Sequence, residues 1–165
     1  MNKILVTGAT GFIGNEIISK ILKKNKKRKI TVIGRKIKNW NIDYTKKNIK
    51  YVNLSNNKIS NLGKFETIIH CAAICDINKI YSWQDYFNNN ILPTLRLLQE
   101  IEYKRFILIF TGSVFSDDAK KIKPNSYYGL SKFISEKLVS ILKKDTKTQH
   151  IIFRLPIVIG NNSHN

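Results

Sequence analysis

No hydrophobic run in this sequence approaches the roughly 18 apolar residues that a membrane span requires. The opening "MNKILVTG" has only Ile4, Leu5 and Val6 as a run before Thr7, too short for the hydrophobic region of an export signal. A membrane partner is therefore not expected, and a cytoplasmic location is. Cysteine is nearly absent. Cys71 and Cys75, with no export signal, are expected to be reduced thiols that serve as packing residues. A metal site lacks ligands too: His70 is near the cysteines, but His150 and His164 are far away in sequence.

Acidic side chains are also scarce. The 165 residues hold 11 Asp and Glu against 29 Lys and Arg, a net charge of +18. Such a surface attracts phosphate whatever its sequence. No dedicated nucleic-acid motif accompanies it, and aromatics are not interleaved with the densest basic run, "KKNKKRK" from Lys23 to Lys29. Ile, Lys and Asn supply 69 of the 165 residues, and AT-rich codons encode all three, so base composition accounts for the lysines. The run is expected to be a solvated connection, and no specific nucleic-acid partner is implied.

The apolar content of 42% and aromatic content of 10% suit one folded domain across 1–165 and exclude wholesale disorder. Short runs rich in Ile and Val recur along the chain: "KILVT" (3–7), "KITVIG" (29–34), "IKYVNL" (49–54), "ETIIHCA" (66–72), "RFILIFT" (105–111) and "HIIFRLP" (150–156). They are unbroken rather than alternating, the pattern of strands buried on both faces. Helical patterns lie between them. "FIGNEIISKILKK" carries a stripe of Ile13, Ile17, Ile18 and Ile21. "SWQDYFNNNILPTLRLLQEI" carries Ile91, Leu95 and Leu98, with an irregularity expected at Pro93. "SKFISEKLVSILKK" carries Phe133, Leu138, Ile141 and Leu142. This alternation predicts an α/β fold, a doubly wound parallel sheet of six strands with right-handed crossovers. "NWNIDYTKKN" (39–48) is expected to be a surface loop.

The first strand runs into "TGATGFIG", with Gly8, Gly11 and Gly14 at three-residue intervals before a helix. Gly8 can take a turn conformation closed to other residues, Gly11 admits a diphosphate close to the backbone, and Gly14 lets the helix pack on the strand. The helix start, with Phe12 and Ile13, presents free N–H groups and partial positive charge to the phosphates. Strand, turn and helix in this order point to a dinucleotide. An acid at the end of the second strand would mark NAD, but here "VIGRK" places Arg35 and Lys36. Arg35 can fork a 2′-phosphate, which favours NADP, with NAD possible.

Near the last quarter stands "SYYGLSK". With 7 Tyr and 24 Lys, roughly one Tyr-x-x-x-Lys is expected by chance, and one occurs, Tyr128 with Lys132. Its meaning depends on context. That context resembles the extended short-chain dehydrogenase/reductase family, the NAD(P)-dependent epimerase/dehydratase group that modifies sugar nucleotides. "TGATGFIG" looks like its glycine motif and "HCAA" (70–73) like its His-x-Ala-Ala segment. "NNILPT" is similar to its Asn-x-x-Gly-Thr, with Pro93 in place of glycine. "FTGSVFSD" resembles its Ser-Ser-x-x-Val-Tyr-Gly, "YYGLSK" its Tyr-x-x-x-Lys, and "FRLPIVIG" its Arg-x-x-x-x-x-Gly.

The resemblance implies a Rossmann fold and a hydride-transfer site. Gly8, Gly11, Phe12, Ile13 and Gly14 would bind the dinucleotide, with Ala72 and Ala73 along its path and Asn90 beside it. Asn53 and Leu54 replace the family's usual Asp-Leu at the adenine. Thr111 falls on the catalytic Ser/Thr position, with Ser113 a lesser substitute. Tyr128 would pass the proton, and Lys132 would lower its pKa from the free value of about 10 and hold the nicotinamide ribose. Gly112 and Ser113 follow Thr111 where dehydratases carry acids. An epimerase or ketosugar reductase is thus expected, acting on a nucleotide-sugar substrate. The chain stops at "GNNSHN", where family members usually continue into a last strand and a substrate domain. The resemblance therefore implies a truncated product, a fragment, or a chain completed by another subunit or in a homo-oligomer, with reduced activity. A non-catalytic NAD(P)-binding module is the alternative.

Overall fold

The computed structural model describes residues 3–34, 48–53, 59–75, 79–111, 124–142, 147–156 and 158. Six strands form one sheet: β1 (Lys3–Thr7), β2 (Lys29–Gly34), β3 (Ile49–Asn53), β4 (Lys64–His70), β5 (Glu102–Thr111) and β6 (Gln149–Leu155). Their order is β3-β2-β1-β4-β5-β6, and all five pairings are parallel. This is the doubly wound order of the Rossmann fold. Among the described residues, no helix is long and apolar enough to cross a membrane.

Both faces of the sheet are covered, which explains the unbroken apolar runs. Ile4 and Val6 of β1 join Ile18, Ile30, Val32 and Ile69 in one core layer. Leu5, pointing the other way, joins Ile68, Leu97, Leu98, Phe106, Leu108 and Val139 in the second. Leu5, Ile68, Phe106 and Leu108 are fully enclosed, each contributing roughly 1.5–3 kcal/mol relative to exposure.

Helix α1 (Phe12–Lys24) covers the first layer. The long helical pattern after β4 is α2 (Trp83–Tyr86), one wide π-turn (Phe87–Ile91) and α3 (Leu92–Glu100). The irregularity expected at Pro93 is this π-turn. Pro93 has no N–H to donate to the carbonyl four residues back, and it opens α3 instead. Helix α4 (Tyr127–Ile141) starts a turn earlier than its apolar stripe predicts, capped by the Ser126 hydroxyl. Phe133, Leu138 and Leu142 of that stripe pack against the core, but the buried face extends beyond it. Ser131, Lys132, Ser135, Glu136 and Val139 are buried, while Ile141 is 74% exposed. The polar groups are tolerated inside because they have partners. Ser135 Oγ reaches the Asn90 and Ser131 carbonyls, and Arg154 forks Glu136 at 2.9 and 2.5 Å, tying β6 to α4.

Candidate active site

The chain order reverses between β1 and β4, which pair with each other in the middle of the sheet. Their carboxyl ends open the crevice where doubly wound sheets bind ligands. A cavity of about 700 Å3 lies there, lined by 7–14, by 32–34, by 70–75 and by one side of the π-turn and α3. Gly8 takes φ +68°, and a Cβ on it would stand 2.6 Å from the Ala72 nitrogen. A Cβ on Gly14 would stand 2.2 Å from the Gly8 carbonyl oxygen, so α1 can approach β1 this closely only with glycine there. Gly11 is the N-cap of α1 and supplies no side-chain bond, and the first turn holds no acid. The free N–H groups and partial positive charge of the helix start remain for a ligand. Gly8, Gly11, Phe12, Ile13, Gly14, Ala72 and Ala73 all line the cavity. This cradle, closed up by the backbone contacts of Gly8 and Gly14 and left open at Gly11, fits a dinucleotide diphosphate.

β3 contributes differently from expectation. Asn53 ends the strand opposite Gly34, but the cavity-lining residue of β3 is Tyr51. Its ring passes over Gly34, and its hydroxyl donates to the Gly34 carbonyl at 3.0 Å. Arg35, Lys36, Leu54, Gly112 and Ser113 lie outside the described residues.

Asn90 acts as a clamp. It is 2% exposed. Its Oδ1 accepts from the Ile74 N–H at 2.8 Å, and its Nδ2 donates to the Ile74 carbonyl and to Ser131 Oγ. The amide thus holds the cavity wall after β4 against α4. His70 extends the tie. Thr94 Oγ1 donates to the Asn90 carbonyl at 2.8 Å, so it accepts from His70 Nε2–H at 2.9 Å. Nδ1 is then the acceptor, and Thr7 Oγ1 donates to it at 2.6 Å. Burial, then the charge of Lys132, pushes His70 down to about 3, which keeps the ring neutral. A linear motif names His70 and Asn90, but not this pairing of residues 24 and 63 positions apart.

Thr111, Tyr128 and Lys132 are not among the cavity's lining residues; they lie next to it, where Cys75, on its wall, acts on both Tyr128 and Lys132. Thr111 ends β5, and its side chain hydrogen-bonds the Tyr128 phenol. The structure therefore unites two residues 17 positions apart in sequence. Lys132 is placed otherwise than expected. Its ammonium donates to the Ile109 carbonyl at 3.2 Å and lies over the Phe110 ring. Tyr128 is consequently not lowered. Burial, with Cys75 and Tyr86 adding to it, pushes the phenol up to about 12 against the opposing Thr111 bond. Burial brings Lys132 down to about 8, with Cys71 and Cys75 pulling the other way. The cysteines also divide: Cys71 packs at the core's edge, its thiol pushed up to about 12 by burial, whereas Cys75 is exposed.

The sequence profile of the NAD dependent epimerase/dehydratase family matches residues 4–165. The chain belongs to that family. It is 31% identical to an uncharacterised UDP-glucose epimerase of Bacillus subtilis over 96% of this chain and 57% of that protein. It is 29% identical to a dTDP-D-glucose 4,6-dehydratase of Dictyostelium discoideum over 97% of this chain and 44% of that one. The chain thus spans about half the length of the curated relatives it matches. Among solved structures, it resembles a UDP-glucuronic acid 4-epimerase from Bacillus cereus in complex with UDP-glucuronic acid and NAD. The TM-score is 0.73 and the identity 28%, over 92% of this chain and 55% of that one.

Proposed function

We propose that the chain binds a nicotinamide dinucleotide along the β1–β4 crevice and works on a nucleotide-activated sugar, as an epimerase or a ketosugar reductase. The hydrogen bond between Thr111 and Tyr128, beside the cavity wall at Cys75, carries this reading. Bound there, the nicotinamide would supply a hydride donor or acceptor. Thr111 holds the reacting sugar oxygen, and Tyr128 exchanges its proton. Lys132, anchored at the Ile109 carbonyl and mostly charged below its value of about 8, is kept for holding the nicotinamide ribose rather than for lowering the phenol. The relatives named as epimerases of UDP sugars support the substrate class. The absence of a carboxylate at Gly112 and Ser113 disfavours dehydration.

The test uses two assays: NADPH oxidation with a panel of 4-ketosugar nucleotides, and interconversion of UDP-glucose and UDP-galactose. Turnover in either is expected, and Tyr128→Phe is expected to abolish it while leaving cofactor affinity within about twofold, because the phenol is needed for proton exchange rather than binding. Full activity in Tyr128→Phe would overturn the proton-transfer role. Cofactor binding without turnover in either assay would favour the non-catalytic module. Arg35 supports NADP, so NADPH should bind more tightly than NADH, and Arg35→Ala should erase the difference. A ratio near one, or one unchanged in Arg35→Ala, would refute the NADP preference, and tighter binding of NADH would assign NAD, the dinucleotide in the Bacillus cereus complex.

A further inference from the structure

A seam of aromatic rings runs between the start of α2 and the first turn of α4. Tyr81 meets Tyr86 edge to face with centroids 5.7 Å apart, and Tyr86 lies 6.3 Å from Tyr128. Beside this inner pair, Trp83 lies 5.9 Å from Tyr127. Trp83 and Tyr86, three residues apart, share one side of α2, and Tyr127 and Tyr128 open α4, so the two pairs cross the same junction side by side. The inner pair ends on the proton-transfer phenol. The outer pair ends in solvent, with Tyr127 58% exposed.

Both helix starts are fixed by their own caps. Ser82 and Asp85 form a reciprocal capping box, and Ser126 Oγ accepts from the Gly129 N–H at 3.0 Å. The rings are thus held in place before any ligand arrives, which limits the ordering cost of binding. A ring that only clamped α2 to α4 would be expected to bury most of its surface. Tyr127 leaves over half of its surface in water, one residue from Tyr128. A pyranose has a face of C–H groups and a rim of hydroxyls. The C–H face can cover an aromatic ring while the rim stays free for hydrogen bonds.

We propose that the exposed Tyr127 ring, braced by Trp83 whose plane is tilted 58° to it, is the stacking platform for the hexose ring of the nucleotide sugar, turning a ring hydroxyl toward Thr111 and Tyr128. This rests on the substrate class proposed above. The hexose rather than the base is the occupant, because the platform adjoins the phenol that acts on the sugar.

The chain has two tryptophans, so Trp40→Phe leaves Trp83 as the sole reporter. In that variant, with NAD present, Trp83 emission is followed as UDP-glucose or UDP is added, and binding is measured in parallel by calorimetry. UDP-glucose is expected to change the emission saturably and UDP to leave it unchanged. Tyr127→Ala in the same background should weaken UDP-glucose about fivefold to tenfold with NAD affinity unaltered. If UDP-glucose binds by calorimetry with silent emission and no effect of Tyr127→Ala, the platform is overturned while the substrate reading stands. An equal response to UDP would place the base there and overturn the hexose assignment. No UDP-glucose binding at all would overturn the substrate reading and the platform together.

Discussion

Burial moves Tyr128 and Lys132 toward the uncharged state from opposite sides. Lys132 falls from 10.5 to about 8 on folding. Between those values the folded chain binds fewer protons than the unfolded one, so this lysine makes stability rise with pH across the window. Tyr128 rises from 10.0 to about 12, so its contribution is complete below pH 10 and is lost as pH climbs from there to 12. Urea midpoints should therefore rise between pH 8 and 9 in the unmodified chain, before the Cys71 thiol, raised from 9.0 to about 12 by burial, begins to oppose the trend, and Lys132→Met should remove that rise. A variant whose midpoint climbs as steeply as the parent's would mean that Lys132 keeps its ordinary value. The same pair shows what spacing conveys and what it does not. Positions 128 and 132 predict a shared helix face, but only the packed structure turns the ammonium to the Ile109 carbonyl and the phenol to Thr111.

At the scale of elements, the turn between β1 and α1 gives a prediction that separates folding from binding. The Cβ of Gly14→Ala would overlap the Gly8 carbonyl at 2.2 Å, a backbone clash that rotamers cannot relieve. A loss on the order of 1–3 kcal/mol is expected, read as a melting temperature lower by several degrees. At Gly11 the nearest atom to an added Cβ is 3.3 Å away, so Gly11→Ala should melt nearer the parent yet weaken the dinucleotide tenfold or more, since the methyl intrudes on the diphosphate path. Equal melting losses in the two variants would contradict the packing described. Strands were legible because runs such as "KILVT" and "KITVIG" must be buried on both faces, and the turn because its glycines have separate steric duties. Strand ends were less so. β5 begins at Glu102 rather than Arg105 because Glu102 and Tyr103 pair with Lys64 and Phe65, an extension that polar residues conceal. On α4 the apolar stripe found Phe133, Leu138 and Leu142, which pack against the core, but it was blind to the polar half of the buried face, the serines held by Asn90. Tyr51, and the tie that His70 makes between Thr7 and Thr94, escaped for a related reason, since both arise from contacts distant in sequence.

Across the whole molecule, the sheet separates two edges of different character. Lys3 and Lys29 stand opposite each other at the amino edge, and Lys3 is held below the ordinary lysine range by burial and by the charges of Lys50 and Lys29. The basic run from Lys23 to Lys29 belongs there: Lys23 and Lys24 close α1, a favourable place for cations, and Asn48 donates to the Lys26 and Arg28 carbonyls. That makes the run an ordered connection on the side away from the cavity. The carboxyl edge carries the glycine cradle at one end and the Thr111–Tyr128 pair at the other, with Cys75 between them in reach of both the cavity and the phenol. A single dinucleotide spanning that edge would cover Cys75, so alkylation of this thiol by iodoacetamide reports whether it does. Saturating NAD or NADP should slow alkylation in the unmodified chain and have little effect at the same concentration in Gly11→Ala. If the dinucleotide binds the unmodified chain but leaves the Cys75 rate unchanged, or protects Gly11→Ala equally well, the ligand does not lie between the turn and the phenol.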